Sequence, residues 1–339
     1  MRSLIRAGSW LFVDDGSSRA FANPATTVDA HARSLRARGA DLVVVIAHAG
    51  AFCERGKPDS CNGEIVDLAQ QVTEKVDAIV SGHTHSGVFT RVKGIPIVQA
   101  FSRGTAIGVI DLPLAGGEAP PVRVRNVQRD SIAADPPSAA YTDSVVARAN
   151  AVYDVPVATA AERIERGTGP LGNFIADAYR SVGRGDVGLM NRGGLRAPLN
   201  AGPVTLGSLF EVTPFGNSLV RVTLRGADLR RLLEDIVARD DINLHLSGVK
   251  VTYDPARPAG QRITRLTFTD GRPVNARQSY RLVTLDFILT GGDGSTLARV
   301  ARKVEDLKLV DLEALARYVK SRPQPLRAPT DARLIPLKP

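Results

Sequence analysis

The first half of the chain alternates between amphipathic segments and short apolar runs. Residues 28–38 carry apolar side chains at helical spacing, and residues 41–47 follow as an almost uninterrupted apolar run. The same order recurs at residues 64–76 and 77–81. Apolar runs of this length are typical of strands that are covered on both faces. The repeated order of helix and strand therefore predicts an α/β fold with parallel strands.

The pattern changes after residue 94, and it predicts where one domain gives way to another. Residues 95–112 indicate short antiparallel strands, and two connectors rich in Pro, Ala and Gly follow. We predict a first domain at 1–132, a linker helix at 133–155 and a second domain at 156–339. Within the second domain we predict helices at 173–180, 227–238 and 312–320, and strands at 187–190, 219–224, 249–253, 263–268 and 280–288.

Length and composition indicate an ordinary globular protein. The chain has 339 residues, of which 43% are hydrophobic and 23% are charged, and this length suits two domains. The net charge is +9, but basic and acidic residues are interleaved, so we expect no nucleic-acid partner. No apolar run approaches the roughly 20 residues that a membrane-spanning helix needs, so we expect no membrane span.

Two cysteines and the amino-terminal segment bear on the compartment. Cys53 and Cys61 lie in a loop rich in turn residues. They fit either a disulfide, which implies an oxidising compartment, or two free thiols in a reducing one. The first 18 residues contain only a broken apolar stretch, so we predict no signal peptide in this chain.

Three histidines follow the first two predicted strands. His48 comes directly after one strand, and His83 and His85 come after the next, within the sequence GHTH. Loops at the carboxyl ends of parallel strands gather ligands. Imidazole suits zinc, manganese or iron, and the rings of His83 and His85 diverge, which favours two neighbouring ions over one. Two such ions can activate water for in-line phosphoryl displacement. The alternative interpretation is a hydrogen-bonded pair in an ordinary loop.

Several motifs resemble those of known protein families. Two segments resemble the last two motifs of the calcineurin-like metallophosphatases, DLVVVIAHAG at 41–50 and DAIVSGHTHS at 77–86. Four more resemble the carboxy-terminal domain of 5'-nucleotidases: NFIADAYR at 173–180, NRGGLRA at 191–197, EVTPFGN at 211–217 and GGDG at 291–294. The resemblance implies a partial metallophosphatase sandwich of the αββα type, followed by an α/β 5'-nucleotidase C-terminal domain.

This resemblance also implies roles for individual residues. His48 and His83 would share one divalent metal ion, zinc, manganese or similar, and His85 would bind a second. Phe215 and Phe287 would sandwich the base of a nucleotide or nucleoside, although both also fit core packing. The implied polar contacts are Asp293 on the ribose hydroxyls, with Asn191, Arg196 and Arg166 as anchors and Arg163 as an alternative to Arg166.

This family begins with three further motifs: an Asp-x-His after the first strand, a Gly-Asp, and Gly-Asn-His followed by Glu or Asp. None of the three stands in a matching frame upstream of His48. The resemblance therefore identifies no catalytic residue here. We expect a chain truncated at its amino terminus, by a misplaced start codon or a broken gene, with weak metal binding and impaired hydrolysis. We also expect an exposed apolar sheet edge near residues 42–47.

The function that the resemblance implies is hydrolysis of nucleoside 5'-phosphates in nucleotide catabolism. Such an enzyme is a metal-dependent phosphohydrolase of class EC 3.1.3, and its family is periplasmic or secreted. Two alternatives remain. One is a non-catalytic remnant that binds nucleosides, and the other is a 2',3'-cyclic phosphodiesterase or nucleotide-sugar hydrolase of the same superfamily.

Overall fold

The chain forms two separate units with mixed α/β structure. The computed structural model describes residues 22–54, 57, 60–114, 121–128, 132–167, 169–239 and 242–337. The units are Met1–Asp135 and Pro136–Pro339, so the division falls inside the predicted linker segment. Among the described residues, every helix falls short of the length and apolarity that crossing a bilayer requires.

The N-terminal unit is built on a four-stranded sheet with strand order β1-β4-β6-β5. The pairs β1–β4 and β4–β6 are parallel, and β5 pairs with β6 antiparallel. Its elements are α1 Pro24–Ala37, β1 Val44–Ile46, β2 Phe52–Cys53, β3 Cys61–Asn62, α2 Glu64–Gln71, β4 Ala78–Val80, β5 Gly87–Val92, β6 Ile95–Ala100, β7 Ala106–Val109 and β8 Arg123–Asn126.

Both helices of this unit differ from their predicted bounds for identifiable reasons. Helix α1 begins at Pro24 rather than residue 28, because Asn23 caps it through its side chain. Helix α2 ends at Gln71 rather than residue 76. The carboxylate of Asp29 on α1 accepts hydrogen bonds from the backbone N–H groups of Thr73 and Glu74, at 3.0 and 2.9 Å, and so holds this segment outside the helix.

Strand β1 is not covered on both faces, contrary to the expectation from its apolar sequence. It lies at the edge of the sheet, and Val44 and Ile46 are 44% and 83% exposed. The core of the unit lies on the other side, where α2 packs Ile65 against Ile79 and Ile97. The exposed apolar edge that the sequence predicts near residues 42–47 is therefore present.

A disulfide joins Cys53 to Cys61 across the short hairpin of β2 and β3. The structure thereby resolves the two alternatives that the sequence left open, in favour of the bridge. The hairpin leads from the loop after β1, which carries His48, directly to α2.

The C-terminal unit contains a five-stranded sheet with order β13-β10-β16-β12-β17. Only β10–β16 is a parallel pair within it, among the described residues. The elements of the unit are α3 Pro136–Tyr153, β9 Pro156–Ala160, α4 Pro170–Val182, β10 Val187–Asn191, β11 Gly202–Thr205, α5 Leu206–Val212, β12 Ser218–Arg225, α6 Gly226–Val237, β13 Leu244–Ser247, β14 Val249–Tyr253, β15 Ile263–Phe268, β16 Ser279–Leu285, α7 Asp286–Leu289, α8 Leu297–Val300, β17 Lys303–Val310, α9 Asp311–Ser321 and β18 Leu334–Pro336.

One boundary in this unit matters for the site. The sequence predicts a strand to residue 288, but β16 ends at Leu285 and the helical turn α7 follows. The Asp286 side chain starts that turn by accepting a hydrogen bond from the Phe287 N–H at 2.8 Å. Phe287 therefore leaves the sheet and lies on a short helix at its end.

Candidate functional site

Two of the three candidate histidines lie side by side at the end of the N-terminal sheet. Strands β1 and β4 are adjacent and parallel, so the loops that follow them leave from the same edge. The ring centroids of His48 and His83 are 5.1 Å apart, and the ring planes are inclined by 30°. The parallel pairing of these two neighbouring strands thus brings together side chains that are 35 residues apart in sequence (83 − 48).

The backbone of the histidine loop is strained at both histidines. His83 has φ 78° and His85 has φ 56°, which is the left-handed region that residues other than glycine seldom occupy. Such conformations persist where the surrounding structure enforces them, and they are common at functional sites. Gly50, in the loop after β1, touches this loop. A Cβ at position 50 would lie 2.4 Å from the carbonyl oxygen of Gly82, so only glycine fits.

The enforcing structure is a hydrogen-bond network around Gln99 on β6. Gln99 is 1% exposed, and its amide nitrogen donates to Thr84 Oγ1 at 2.8 Å and to the carbonyl oxygen of Ser86 at 2.7 Å. Its amide oxygen accepts from Ser81 Oγ at 3.1 Å. The hydroxyl of Thr84 in turn donates to the carbonyl oxygen of Ala51 at 2.8 Å. One buried amide thus links β6, the histidine loop and the loop after β1.

The histidines fit a metal ion only in part. His48 and His83 are exposed and close enough to share one cation, and Glu64 Oε2 lies 3.2 Å from His83 Nδ1. His85 does not complete this set: in the described ranges, no group of three or more His, Cys, Asp or Glu residues is arranged to hold a metal ion. The structure therefore shows a pair of imidazole donors beside one carboxylate.

In the C-terminal unit, Asn191 and Asp293 meet at the end of β10. Asn191 is 3% exposed and donates from Nδ2 to Asp293 Oδ2 at 2.8 Å. Its Oδ1 is buried and has no hydrogen-bond partner within the described part of the chain. Arg239 holds the turn that carries Asp293, since its guanidinium donates to the carbonyl oxygens of Asp293 and Gly294 at 2.6 and 2.7 Å.

The two candidate aromatic residues are at the surface rather than in the core. Phe215 is 52% exposed and Phe287 is 41% exposed, which excludes the core-packing interpretation. The Phe287 ring lies on Gly292, where a Cβ would come within 2.4–2.5 Å of three ring atoms. The Arg196 guanidinium carbon lies 5.5 Å from the centroid of the Phe215 ring.

These contacts join the predicted residues into one array, which we call the nucleoside array: Phe287, Asp293, Asn191, Arg196 and Phe215. The remaining link is Gly193. A Cβ there would lie 3.3 Å from Asp293 Oδ2, and its carbonyl oxygen accepts from Arg196 Nη1 at 3.2 Å. The array thus runs without a break from one exposed aromatic ring to the other.

Of the two arginines that the sequence left open, Arg166 is the one beside this array. Its Nη1 donates to the carbonyl oxygens of Leu195 and Arg196, at 3.3 Å each. Arg163 instead pairs with Glu165 and Asn200, each at 2.6 Å. The geometry therefore favours Arg166.

Sequence reasoning missed two residues that position loops of the candidate sites, and it also missed one buried histidine. Gln99 and Arg239 position loops, as described above. His245 on β13 is buried against Gly172 of α4, and burial lowers its pKa to about 4. For Gln99 a signal existed, because it is the one strongly polar residue in the apolar segment IPIVQA, and buried polar groups need partners.

Comparison with known proteins shows which families the chain is similar to. Residues 145–299 match the family described as 5'-nucleotidase, C-terminal domain. The chain is 30% identical over 333 residues to Endonuclease YhcR of Bacillus subtilis, covering 93% of this chain and 26% of that protein. It is 26% identical over 339 residues to Cell wall protein Lmo0130 of Listeria monocytogenes, covering 88% of this chain and 43% of that protein. The chain thus spans less than half the length of these two curated relatives.

A solved structure extends the likeness to nearly the whole chain. The 5'-nucleotidase precursor from Thermus thermophilus superposes with a TM-score of 0.72 at 25% identity, covering 94% of this chain and 68% of that one. The α/β architecture predicted from the sequence is thereby confirmed. Residues 145–299 match the 5'-nucleotidase C-terminal domain family, and the chain that carries them is similar to a 5'-nucleotidase precursor along most of its length.

Proposed function

We propose that this chain is a metal-dependent phosphohydrolase that acts on nucleoside 5'-phosphates. The observation that carries the proposal is the nucleoside array, in which two exposed aromatic rings are joined through Asp293, Asn191 and Arg196. The array lies within the domain that matches the 5'-nucleotidase family, whose members are phosphoesterases.

Each member of the array has a role that its chemistry supports. The exposed faces of Phe215 and Phe287 stack on a base, which contributes roughly 1–3 kcal/mol per base and tolerates any base identity. Asp293 accepts hydrogen bonds from ribose hydroxyls, and Asn191 holds its carboxylate in place through Nδ2. Arg196 and Arg166 offer guanidinium donors to an anionic group. We therefore expect broad base specificity.

The histidines of the N-terminal unit supply the proposed metal donors. His48 and His83 would share one divalent cation, zinc or manganese, and His85 would bind another. Such ions, when bound, supply an activated water and neutralise charge on the phosphoryl oxygens. Two imidazoles provide only part of the coordination shell of a divalent cation, so we expect weak metal binding and little hydrolysis by residues 1–339.

The assay that tests this proposal measures phosphate release from AMP with manganese or zinc added, together with adenosine binding by calorimetry. Phosphate release that is lost in the double variant His48→Ala, His83→Ala supports the phosphohydrolase. Adenosine binding without any release favours the second candidate, a non-catalytic nucleoside-binding module, which the partial ligand set also supports. The absence of both binding and release contradicts both candidates.

We also propose that the chain works in a periplasmic or extracellular compartment. The Cys53–Cys61 disulfide supports this location, because such bonds persist in oxidising environments. The relative from Listeria monocytogenes is described as a cell wall protein. Thiol titration of chain recovered from an exported fraction should find no free cysteine before reduction and two afterwards.

A further inference from the structure

The C-terminal unit contains a cavity that the proposed function does not use. It has a volume of about 250 Å³ and lies between α4, α9 and the turn after β13. None of the residues that line it belongs to the nucleoside array. The volume is several times the roughly 30 Å³ that one water molecule occupies in the liquid, so a small hydrated anion fits.

The carboxylate at the cavity wall is already neutralised. Asp177 receives a bidentate pair from Arg333, with Nη1 and Nη2 donating at 2.9 and 2.8 Å. Ser247 Oγ also donates to Asp177 at 2.5 Å. Arg333 in turn donates from Nε to Asp331 at 3.0 Å, so its charge is shared between two carboxylates. Asp177 therefore has little capacity left to pair with another cation.

Two further arginines line the cavity without a carboxylate partner in the described part of the chain. Arg180 donates from Nε to Ser247 Oγ at 2.7 Å, which fixes its direction and leaves its two terminal nitrogens for another acceptor. The Arg322 guanidinium lies 5.5 Å from the centroid of the Tyr318 ring. Arg333 offsets one of the two negative charges of Asp177 and Asp331. Together with Arg180 and Arg322 the group therefore carries one net positive charge.

The cavity also provides neutral hydrogen-bond donors. Three residues with hydroxyl groups, Tyr318, Ser181 and Thr269, are among those that line it. Burial and the nearby Asp177 raise the pKa of Tyr318, while Arg322, Arg180 and Arg333 act in the opposite direction. The phenol therefore stays protonated at neutral pH and can donate a hydrogen bond, and the three arginines line the same cavity.

We propose that this cavity binds the phosphate group of a small molecule, with Arg180 and Arg322 as the charged donors. Guanidinium groups recognise phosphate oxygens through paired, charge-assisted hydrogen bonds. A second cavity of about 360 Å³ shares Arg322 and Tyr318 and continues along the segment that contains Pro323 and Pro325. The ligand is therefore either inorganic phosphate or a phosphomonoester whose organic part extends into this space.

The test is isothermal calorimetry on the full chain, with EDTA present so that no metal ion can capture the ligand. Inorganic phosphate and ribose 5-phosphate are titrated separately. We expect Arg322→Gln and Arg180→Gln each to weaken phosphate binding at least tenfold. The matched control is Arg231→Gln, which removes an exposed arginine of α6 outside the cavity and should leave the affinity unchanged.

The outcomes separate clearly. Tighter binding of ribose 5-phosphate than of inorganic phosphate identifies a phosphomonoester site, and the reverse order identifies a site for the free ion. Absence of binding at millimolar phosphate overturns the proposal, as does equal affinity of Arg322→Gln and Arg231→Gln. Arg322 is exposed, so its variant is expected to fold, and circular dichroism checks this. A failed nucleoside-binding experiment leaves the result unaffected, because the two sites share no residue.

Discussion

The two units differ in how completely they cover their sheets. In the C-terminal unit, Leu189 of β10 is fully buried, and Tyr179 of α4 packs into the same core. In the N-terminal unit, the edge strand β1 has an equally apolar sequence, yet Ile46 lies largely in solvent. An apolar sequence therefore does not by itself make a strand buried, because the position of the strand in the sheet decides which elements cover it.

The difference also shows what holds each candidate site. The nucleoside array rests on a sheet that is packed on a large core, so its geometry depends on burial. The histidine loops follow strands of a smaller, four-stranded sheet, and they depend on the polar contacts of Gln99. Substitutions in the two units should therefore reveal different sources of stability.

The largest expected effect comes from truncating the buried core. Leu189→Ala should reduce the free energy of unfolding by about 2–5 kcal/mol, because it leaves a cavity in a packed interior. Ile46→Ala should change it by no more than about 0.5 kcal/mol. Urea unfolding followed by circular dichroism measures both. A loss at Ile46 as large as that at Leu189 would mean that β1 is covered after all.

The next effect concerns pH and two buried groups of the C-terminal unit. Burial raises the pKa of Asp311 to about 6 from 3.8, so the folded state keeps a proton that the unfolded state loses, and stability falls as pH rises from about 4 to 6. Burial lowers the pKa of His245 from 6.5 to about 4, so the unfolded state binds a proton that the folded state does not. This contribution to stability therefore rises between about pH 4 and 6.5. Each contributes about 3 kcal/mol, at 1.36 kcal/mol per pH unit.

Because these two contributions oppose each other, the chain should have a nearly level stability between pH 4 and 6. Asp311→Asn removes the falling contribution and should leave stability rising with pH across this interval. Urea midpoints measured at pH 4, 5, 6 and 6.5 test this for both proteins. Parallel pH profiles would show that Asp311 titrates at its ordinary value in the folded state.

A smaller effect is expected from the hydrogen-bond network of the N-terminal unit. Gln99→Met keeps the approximate size of the side chain but leaves buried hydroxyls without their partner, at a cost of about 1–3 kcal/mol. The affinity for zinc or manganese, measured by calorimetry, should fall as the loop of His83 loses its support. Gln70→Met, on the exposed face of α2, is the matched control and should change neither quantity.

The smallest effect in free energy is expected at an exposed aromatic residue. Phe287→Ala should weaken adenosine binding by about 1 kcal/mol, through the loss of one stacking face, with little change in unfolding. Phe89→Ala removes a ring of similar exposure from the N-terminal unit and should leave adenosine binding intact. Equal affinities in the two variants would remove Phe287 from the proposed site.

The sequence predicts the features that follow from local order along the chain. His48 and His83 could be placed together because each follows a strand, and consecutive parallel strands end at the same edge. The resemblance favoured Arg166 without excluding Arg163, because the distinction depends on contacts with Leu195 and Asn200 that no spacing reveals.

Features that depend on distant contacts could not be predicted in this way. The periodic pattern of α2 continues past Gln71, but a carboxylate on a different helix ends the element. The apolar run of β16 likewise extends through Ile288, although Asp286 turns the chain into a helix. Gln99 contacts the histidine loop only because β6 pairs with β4, and this pairing is a property of the whole sheet.

The tail that carries Arg333 has a consequence for how the protein is made. Its Nη1 donates to Asp177 of α4 and to the carbonyl oxygen of Leu246 in β13, and β18 then pairs in parallel with β14. Asp177 leaves the ribosome 156 positions before its partner. We therefore expect the C-terminal unit of a nascent chain to stay incompletely folded until residue 333 emerges. During this interval its apolar surface is open to chaperones.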